Sequence, residues 1–285
     1  MGAILRGRPR RGNSPRGIAR TALTGYYWSV DFPTALKERR AARKVSQLEL
    51  ALKAGTTQRH LSFIESGRSA PGRDMVIRLT ESLGLPLRER NQLLLKAGFA
   101  PAYPETPLDS ADLAPVMTAL THILDAHMPY PALIVDRYGA IVGANAAQAM
   151  LAGDAPAHVR SNAYRLALHP EGMAPRVGNF TDWARHVVDN IGADLARNPD
   201  DRLAALHAEL SGYVPPARPA AGHLGFAVPL LLRHGGEDLR LMTTITSFAT
   251  AVDVTISELK LEAFLPADAT TAAALMRDNG ADAGQ

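Results

Sequence analysis

The side chains with the most informative chemistry lie in the stretch TTQRHLSFIESGRSAP, residues 56–71. The amide of Gln58 matches the N6 and N7 edge of adenine, and the guanidinium of Arg59 matches O6 and N7 of guanine. Two such residues side by side near the start of one helix favour contact with base edges in a DNA groove. The competing interpretation is an ordinary surface helix, in which these polar residues only cap the helix and meet water.

The spacing of small and apolar residues around this stretch predicts two crossed helices. Counting from Gln47, Ala51 is the fifth residue, Gly55 the ninth and Leu61 the fifteenth. A small residue at the fifth position lets two helices cross closely, and glycine at the ninth permits a left-handed turn conformation. An apolar residue at the fifteenth position anchors the second helix on the core. The pattern predicts a helix-turn-helix over residues 47–67.

Within this motif, Leu48, Leu61 and Ile64 are expected to point into the core. Polar residues near the N-terminal end of the second helix are expected to face outward, where a recognition helix contacts DNA. Thr57 is also expected to cap that helix and Glu65 to brace the following loop, while His60 and Phe63 either contact DNA or pack. The residues predicted to contact DNA are Gln47, Thr56, Thr57, Gln58, Arg59, His60, Ser62, Phe63, Arg68 and Arg73.

Five short helices are predicted between residues 33 and 99. Pro33 suits the first helical turn, and Ser46 with Glu49 three residues later forms a capping box for the second helix. Each helix carries apolar residues at three- and four-residue spacing. The helices are closed by glycines at positions 55, 67, 84 and 98. Residues 31–99 are therefore predicted to form a compact all-helical domain.

The stretch SQLELALKAGTTQRHLSFIESGRSAPGRDMVIRLTESLG resembles the Cro/cI-like (XRE-type) helix-turn-helix regulators over almost the whole domain. The match includes the Ile-Glu-x-Gly turn and the proline that follows it. Thr56 departs from the family's aliphatic residue, and Pro71 is followed by glycine rather than a capping serine. The resemblance implies a lambda-repressor-like fold and double-stranded DNA as the partner. Because one such domain buries little surface, we expect a homodimer on a pseudo-palindromic operator.

Charge is distributed unevenly along the chain, whose net charge is +3. Residues 1–30 hold six Arg and no acidic residue, and residues 31–99 hold 13 Lys/Arg against 7 Asp/Glu. Residues 100–285 hold 12 basic and 21 acidic residues. A basic front and an acidic rear favour contact of the front alone with a polyanion. The Arg-, Gly- and Pro-rich residues 1–30 are predicted to be a disordered arm that follows phosphates, a tail without a role, or an over-extended start before Val30.

The second half of the chain predicts a separate α+β domain at residues 116–278, after a proline-rich linker at 100–115 and before a disordered tail at 279–285. Its strands are expected to form an antiparallel sheet with helices on one face. The predicted elements are a helix at 116–126, a β-hairpin at 132–145, helices between 146 and 210 with a break at 168–179, β segments at 223–233 and 237–250, a last strand within 256–268, and a short final helix. The fold class is multidomain, α followed by α+β.

Several short motifs of this second domain resemble the MmyB-type ligand-binding domain, and its opening PALIVDRYGAIVGANAAQAML resembles a PAS-like sensor. The others are NAYRLALHPEGMAP, the pair Asp182-Trp183 and PDDRLAALHAEL. The resemblance implies a PAS-like fold around a small apolar ligand, such as a fatty-acid-like carboxylate. Candidate ligand contacts are Asn162, Tyr164, Arg165 and Trp183. Asn162 and Arg165 have an alternative, in which Asn162 caps a helix and Arg165 pairs with an acid. Tyr164 and Trp183 have the alternative of packing in the core.

The sequence lacks the common motifs of a catalytic site, a cofactor site or a metal site. The chain has no cysteine, and neither a G-x-S-x-G nucleophile elbow nor a glycine-rich phosphate loop occurs. His122, His127, His169 and His186 lack the spacing of a zinc site. No apolar run is long enough to span a bilayer and no secretory signal is visible, so we expect a cytoplasmic protein. A ligand-regulated DNA-binding regulator is therefore predicted. The alternatives are a regulator whose second domain only dimerises or docks, and an enzyme fused to a DNA-binding module.

Overall fold

The computed structural model describes residues 31–216, 228–248 and 250–282. The arm predicted at residues 1–30 and the end of the predicted tail, 283–285, lie outside the described residues. Part of the β segment predicted at 223–233 also lies outside them. Among the described helices, none is both long and apolar enough to cross a membrane.

The N-terminal region folds as five helices, as the sequence predicts. The helices are α1 (Phe32–Ala42), α2 (Gln47–Lys53), α3 (Gln58–Glu65), α4 (Arg73–Ser82) and α5 (Leu87–Lys96). Both predicted caps are present, because Ser46 Oγ accepts a hydrogen bond from Glu49 N at 3.1 Å and Thr57 Oγ1 accepts one from His60 N at 3.1 Å. Gly55 has a φ of +65° between α2 and α3, which is the left-handed turn that the motif requires.

The core of this helical region differs from the prediction at Leu48, which is 52% exposed. Helix α2 buries Leu50 and Ala51 instead. With 3.6 residues per turn, a residue two positions before Leu50 lies on nearly the opposite side of the helix. The other two predicted core residues, Leu61 and Ile64, are fully buried. Helix α1 begins one residue before Pro33, with Asp31 as its cap.

The linker ends before residue 115, which was its predicted C-terminal end. A 3-10 turn at Ala111–Leu113 leads directly into helix α6 (Ala114–Asp125), so Pro115 lies inside the helix rather than in the linker. The first turn of a helix tolerates proline because its N–H groups have no partner within the helix. The linker without helical structure therefore ends at Ser110.

The second region contains a five-stranded antiparallel sheet, in agreement with the prediction. The strands are β1 (Ala132–Val135), β2 (Ile141–Ala144), β3 (Leu230–His234), β4 (Glu237–Ser247) and β5 (Lys260–Pro266), in the order β2-β1-β5-β4-β3. The helices are α7 (Ala149–Ala152), α8 (Ala157–Arg160), α9 (Ala163–Leu168), α10 (Phe180–Arg197), α11 (Asp201–Ser211), α12 (Val254–Glu258) and α13 (Ala269–Asp282). Strand β5 lies at the centre and pairs with β1 and β4.

Helices cover both faces of the sheet, so the prediction of helices on one face is wrong. Side chains alternate along a strand. Leu133 and Val135 of β1 pack into a large core with α9, α10 and α11, whereas Ile134 packs into a smaller core with α6 and α12. Helix α6 also packs against β2, and α6 and α12 together cover the second face.

The end of the chain also departs from the prediction. The last strand lies within the predicted stretch 256–268, but residues 256–258 are helical in α12, because Asp253 Oδ1 accepts hydrogen bonds from Thr255 N and Ile256 N and starts a helix. Strand β5 therefore begins at Lys260. Helix α13 is 14 residues long rather than short, and it continues past position 279, where the tail was predicted to begin.

The β1–β2 turn fixes the start of α9. Gly139 in this turn has a φ of +77°. Asn162 Nδ2 donates a hydrogen bond to Tyr138 O at 2.8 Å, and Ala163 N donates one to Gly139 O at 2.8 Å. A Cβ atom at Gly139 would overlap the ring of Tyr164. The turn thus sets the position of α9 and of its aromatic residue Tyr164.

Gly139→Ala is expected to lower the free energy of unfolding by about 1 kcal/mol for the left-handed backbone and by about 1–3 kcal/mol more for displacing Tyr164. Gly235→Ala is the matched control, since Gly235 has a φ of +58° but no neighbouring atom within 4 Å of an added Cβ. Urea denaturation of both variants measures the difference. Equal losses in the two variants would contradict the close packing of Tyr164 on the turn.

Candidate functional site

Helix α3 presents its N-terminal residues to solvent. Gln58 and Arg59 are exposed, and so are Arg68 and Arg73, which flank the helix along the chain. The side chains of Gln58, Arg68 and Arg73 make no hydrogen bond or ion pair with any residue in the described ranges. No acidic residue lies in the first turn of α3, so the positive end of the helix dipole is not compensated there. This surface suits a polyanion.

A buried carboxylate, Glu65, ties α3 to the two preceding helices. Its oxygens accept hydrogen bonds from Arg40 Nε at 2.7 Å and Nη2 at 2.9 Å, and from Gln47 Nε2 at 2.7 Å. The prediction that Glu65 braces the following loop is therefore wrong. That loop is held by backbone hydrogen bonds from Arg68 N and Ser69 N to Phe63 O. The two parallel hydrogen bonds between Arg40 and Glu65 hold both side chains in one geometry. They therefore fix α3 against α1.

The remaining residues predicted to contact DNA differ in how free their side chains are. Phe63 is half-buried and lies under two cations, with the guanidinium carbons of Arg59 and Arg68 at 5.4 and 6.0 Å from its ring centre. Thr56 Oγ1 and His60 Nδ1 form a hydrogen bond of 2.9 Å. Thr57 caps the helix, Ser62 is half-buried, and Gln47 already donates to Glu65. The exposed quartet Gln58, Arg59, Arg68 and Arg73 thus forms the most accessible part of the surface.

A cavity of about 300 Å³ lies between the sheet and helices α9 and α10. This volume is at the lower end of the range for small-molecule sites. Much of the lining is apolar, and it includes Leu133, Leu166, Trp183, Ile191 and Phe264. Such a lining favours a ligand with a hydrocarbon part.

The structure brings two of the four predicted ligand residues to this cavity. Tyr164 and Trp183 line it. Asn162 does not, because its side chain caps α9 and holds the β1–β2 turn. Arg165 forms a two-pronged ion pair with Glu209 of α11, with both N–O distances at 2.7 Å. The alternative roles of Asn162 and Arg165, cap and ion pair, are therefore the ones that the structure shows.

The polar wall of the cavity was missed in the sequence. It comprises Lys260 and Glu262 of β5, His186, Asn190 and Asp194 of α10, and Thr243 of β4. Lys260 Nζ donates to Asp194 Oδ2 at 2.6 Å, and Arg197 also donates to Asp194. The signal that could have found two of these residues is the alternation in KLEAF, because Lys260 and Glu262 share one strand face while Leu261 and Ala263 share the other.

Burial shapes the ionisation of this wall. Glu262 is 9% exposed, and its burial raises the pKa of its carboxyl group, with the charge of Lys260 opposing the shift. Burial also raises the pKa of Tyr164, and the nearby Glu262 carboxylate adds to that effect. Burial of Asp194 works in the same direction, but hydrogen bonds from Lys260 and Arg197 leave the pKa of Asp194 below its ordinary value. Glu262 therefore resists ionisation while Asp194 is anionic.

An ion-pair cluster joins the helical region to the second domain. Arg88 of α5 donates to Glu258 of α12 through Nε at 2.8 Å and Nη2 at 2.9 Å. Glu258 also accepts from Arg137 Nη1 at 3.3 Å, and Arg88 pairs with Glu105 of the linker at 2.6 Å. In addition, Thr106 donates to Asp253, the cap of α12, through its backbone N and its hydroxyl. Helix α12 thus contacts both the linker and α5.

Three side chains on another surface, His158, His169 and Glu171, place potential metal ligands within 4.8 Å of one another. His158 and Glu171 are 69% and 61% exposed, and His169 Nδ1 already accepts a hydrogen bond from Glu171 N at 3.1 Å. Mobile exposed ligands bind metals weakly unless they are held in place. The expectation of no metal site stays a prediction.

Glu262→Gln is expected to stabilise the protein at neutral pH by about 1–3 kcal/mol, because it removes a buried carboxylate without a partner. The folded pKa of Glu262 is raised above its ordinary value of 4.5. Its favourable protonated form is therefore fully present below that value and is lost as the pH rises through the folded pKa. The stability difference between variant and wild type should be small in acid and should grow with pH.

Denaturation curves at several pH values check this expectation. Glu171→Gln serves as the matched control, since it removes the same charge from a side chain that is 61% exposed. A stability difference for Glu262→Gln that is constant across the pH range would show that the carboxyl group ionises freely in the folded protein.

Protein-family models match both regions of the chain. A helix-turn-helix family model matches residues 36–90, which contain the α2–α3 pair and its exposed surface. The model of the MmyB-like transcription regulator ligand-binding domain matches residues 116–277, more than half of the chain. A search among curated proteins found no match. The chain belongs to the MmyB-like transcription regulators, DNA-binding proteins in which a helix-turn-helix precedes a ligand-binding domain.

Proposed function

We propose that a small molecule in the cavity of the second domain controls how this regulator binds its operator. The observation that carries the proposal is the position of Glu258. It ends α12, where it binds Arg88 of the DNA-binding domain, and Lys260 on the cavity wall follows two residues later. A ligand that moves the start of β5 therefore acts on the contact between the two domains.

The DNA-binding part of the proposal assigns base recognition to Gln58 and Arg59 and phosphate contact to Arg68 and Arg73. The support is the exposure of all four side chains. Gln47, Thr56, Thr57, His60, Ser62 and Phe63 complete the proposed contact set. Gln47, Thr56 and His60 hold other hydrogen bonds within the protein, so their contribution to DNA contact is mainly to order α3 and its approach to the backbone.

We further propose a homodimer on a pseudo-palindromic operator, located in the cytoplasm. Geometry supports the dimer, since one helix-turn-helix reads a single half-site and tight specific binding normally needs two half-sites. The five-stranded antiparallel sheet with an internal cavity supports the PAS-like character of the second domain. In this proposal the protein is not an enzyme, and the cavity binds a molecule without transforming it.

The ligand in this proposal is small and apolar or amphipathic, and a fatty-acid-like chain is one such molecule. The lining by Leu133, Trp183 and Phe264 supports a hydrocarbon part. Arg165 is not proposed as its anchor, because Glu209 already occupies the guanidinium. Binding can regulate DNA affinity only if the ligand favours one of two domain arrangements over the other.

The double substitution Gln58→Ala with Arg59→Ala is expected to remove most of the preference for the operator, because each bidentate base contact contributes about 1–3 kcal/mol of discrimination. The operator is first obtained by selecting genomic fragments with the wild-type protein. Titration of operator and scrambled duplexes then gives the discrimination ratio. Arg160→Ala controls for lost positive charge, since Arg160 is exposed and lies in the second domain. A folded double variant that discriminates as well as wild type would refute the assignment.

Glu258→Gln is expected to weaken the response of DNA binding to ligand, because the ion pair with Arg88 is lost. Octanol serves as the probe ligand, and operator affinity is measured with and without it. In the wild type we expect a change of about fivefold or more. In the variant the change should approach unity, while octanol binding itself changes by less than about threefold.

Glu237→Gln is the matched control for this experiment, since it breaks an exposed ion pair with Arg277, and neither residue belongs to α12 or to the cavity lining. An equal octanol response in wild type and Glu258→Gln would remove Glu258 from the mechanism. If octanol does not alter operator affinity and native mass spectrometry of freshly purified protein shows no bound small molecule, the second domain is better explained as a dimerisation or docking module.

A further inference from the structure

The ring of Phe63 contacts two exposed cations of the helix-turn-helix. The guanidinium carbon of Arg59 is 5.4 Å from the ring centre, and that of Arg68 is 6.0 Å from it. Both distances are within the range of about 6 Å that is typical of a cation–π contact. Phe63 is half-buried, whereas both arginines are exposed. The ring is therefore a fixed surface against which two long side chains rest.

Two features of the fold bring the arginines to this ring. Arg59 and Phe63 are four residues apart on α3, and residues with this spacing share one helix face. Arg68 comes from the loop after α3, where Arg68 N and Ser69 N donate hydrogen bonds to Phe63 O at 2.8 and 3.1 Å. Gly67, with a φ of +71°, lets the chain turn back at the end of the helix. Phe63 thus holds Arg68 through its carbonyl group and through its ring.

The contact with the ring leaves the hydrogen-bonding groups of both arginines available. A cation–π contact needs no hydrogen bond, and each guanidinium has five N–H donors. Within the described ranges, neither the side chain of Arg59 nor that of Arg68 makes a hydrogen bond or an ion pair. The donors of two partly ordered guanidinium groups therefore remain for a partner outside the protein.

Ordering these arginines before DNA arrives lowers the cost of binding. The arginine side chain has a large rotamer entropy, and immobilising such a side chain in an interface costs free energy. A ring that already restricts two arginines reduces this cost. It also attracts both cations electrostatically, which offsets their mutual repulsion until phosphates neutralise them.

We propose that Phe63 is a positioning residue for DNA recognition, whose ring holds Arg59 ready for a base edge and Arg68 ready for a phosphate. This inference rests on the proposed function, which assigns these contacts to the two arginines. The ring needs no base contact of its own for this role. The alternative is that Phe63 contacts a thymine methyl group directly.

The test measures binding of full-length Phe63→Leu to operator and scrambled duplexes by fluorescence anisotropy. Leucine is apolar and a good helix former, but it has no ring. The discrimination ratio should fall about three- to tenfold, because Arg59 is then ordered only on binding. Phe63→Tyr keeps the ring and should stay within about twofold of the wild type. Phe99→Leu is the matched control, since Phe99 is also half-buried and packs against the same helical core, and it should leave the ratio unchanged.

A double-mutant cycle identifies the residues through which the ring acts. In an Arg59→Ala background, Phe63→Leu should change the discrimination ratio by less than about twofold. Phe63→Leu should also weaken binding to scrambled duplex by about twofold or more, since phosphate contacts are independent of sequence. That loss should disappear in an Arg68→Ala background. Replacing the operator thymines by deoxyuridine, which lacks the methyl group, should leave the effect of Phe63→Leu unchanged.

The outcomes distinguish this inference from the proposed function. If Arg59→Ala lowers the ratio but folded Phe63→Leu does not, or if Phe63→Leu lowers it equally with and without Arg59, the positioning role is overturned and base reading by Arg59 stands. A loss that disappears with deoxyuridine would show direct contact with a thymine methyl and would also overturn it. If Arg59→Ala leaves the ratio unchanged, both assignments fail. Phe63→Met, judged in the same way, replaces Phe63→Leu if thermal denaturation shows that the leucine variant is unfolded.

Discussion

The alternation of side chains along β5 is the constraint on which the second domain depends. Leu261 and Ala263 enter the core formed with α6 and α12, while Lys260, Glu262 and Phe264 face the cavity. Because β5 pairs with both β1 and β4, it cannot slip by one residue without turning charged groups into the core. The same strand thus fixes the core, the cavity wall and the end of α12.

The helical region has a comparable fixed point in Glu65. Its carboxylate joins α1, α2 and α3 through Arg40 and Gln47. Removing one partner of a buried ion pair commonly costs about 3–5 kcal/mol, so this cluster resists local changes in the angle between the helices. The ion pair between Arg88 and Glu258 connects this helical region to the second domain.

Residue type alone predicted only part of the cavity lining, as the four candidate ligand residues show. Tyr164 and Trp183 are large and partly apolar, and aromatic side chains near a sheet readily line a cavity. Asn162 and Arg165 have strongly directional groups that many partners can satisfy. Their actual partners, Tyr138 and Glu209, are 24 and 44 residues away in the chain. Such distant pairs are decided by packing, so the sequence left both roles open.

The local pattern of the sequence determined the helix-turn-helix, its caps and turn glycine, and the separation into a helical and an α+β region. These features depend on neighbours within a few residues, where spacing and backbone geometry suffice. Only the tertiary structure decided that both sheet faces are covered, that Glu65 binds α1, and that Glu262 lies unpaired in a cavity beside Thr243. These features depend on which distant strands and helices meet. Burial then sets the energy of each charge, and no local pattern encodes burial.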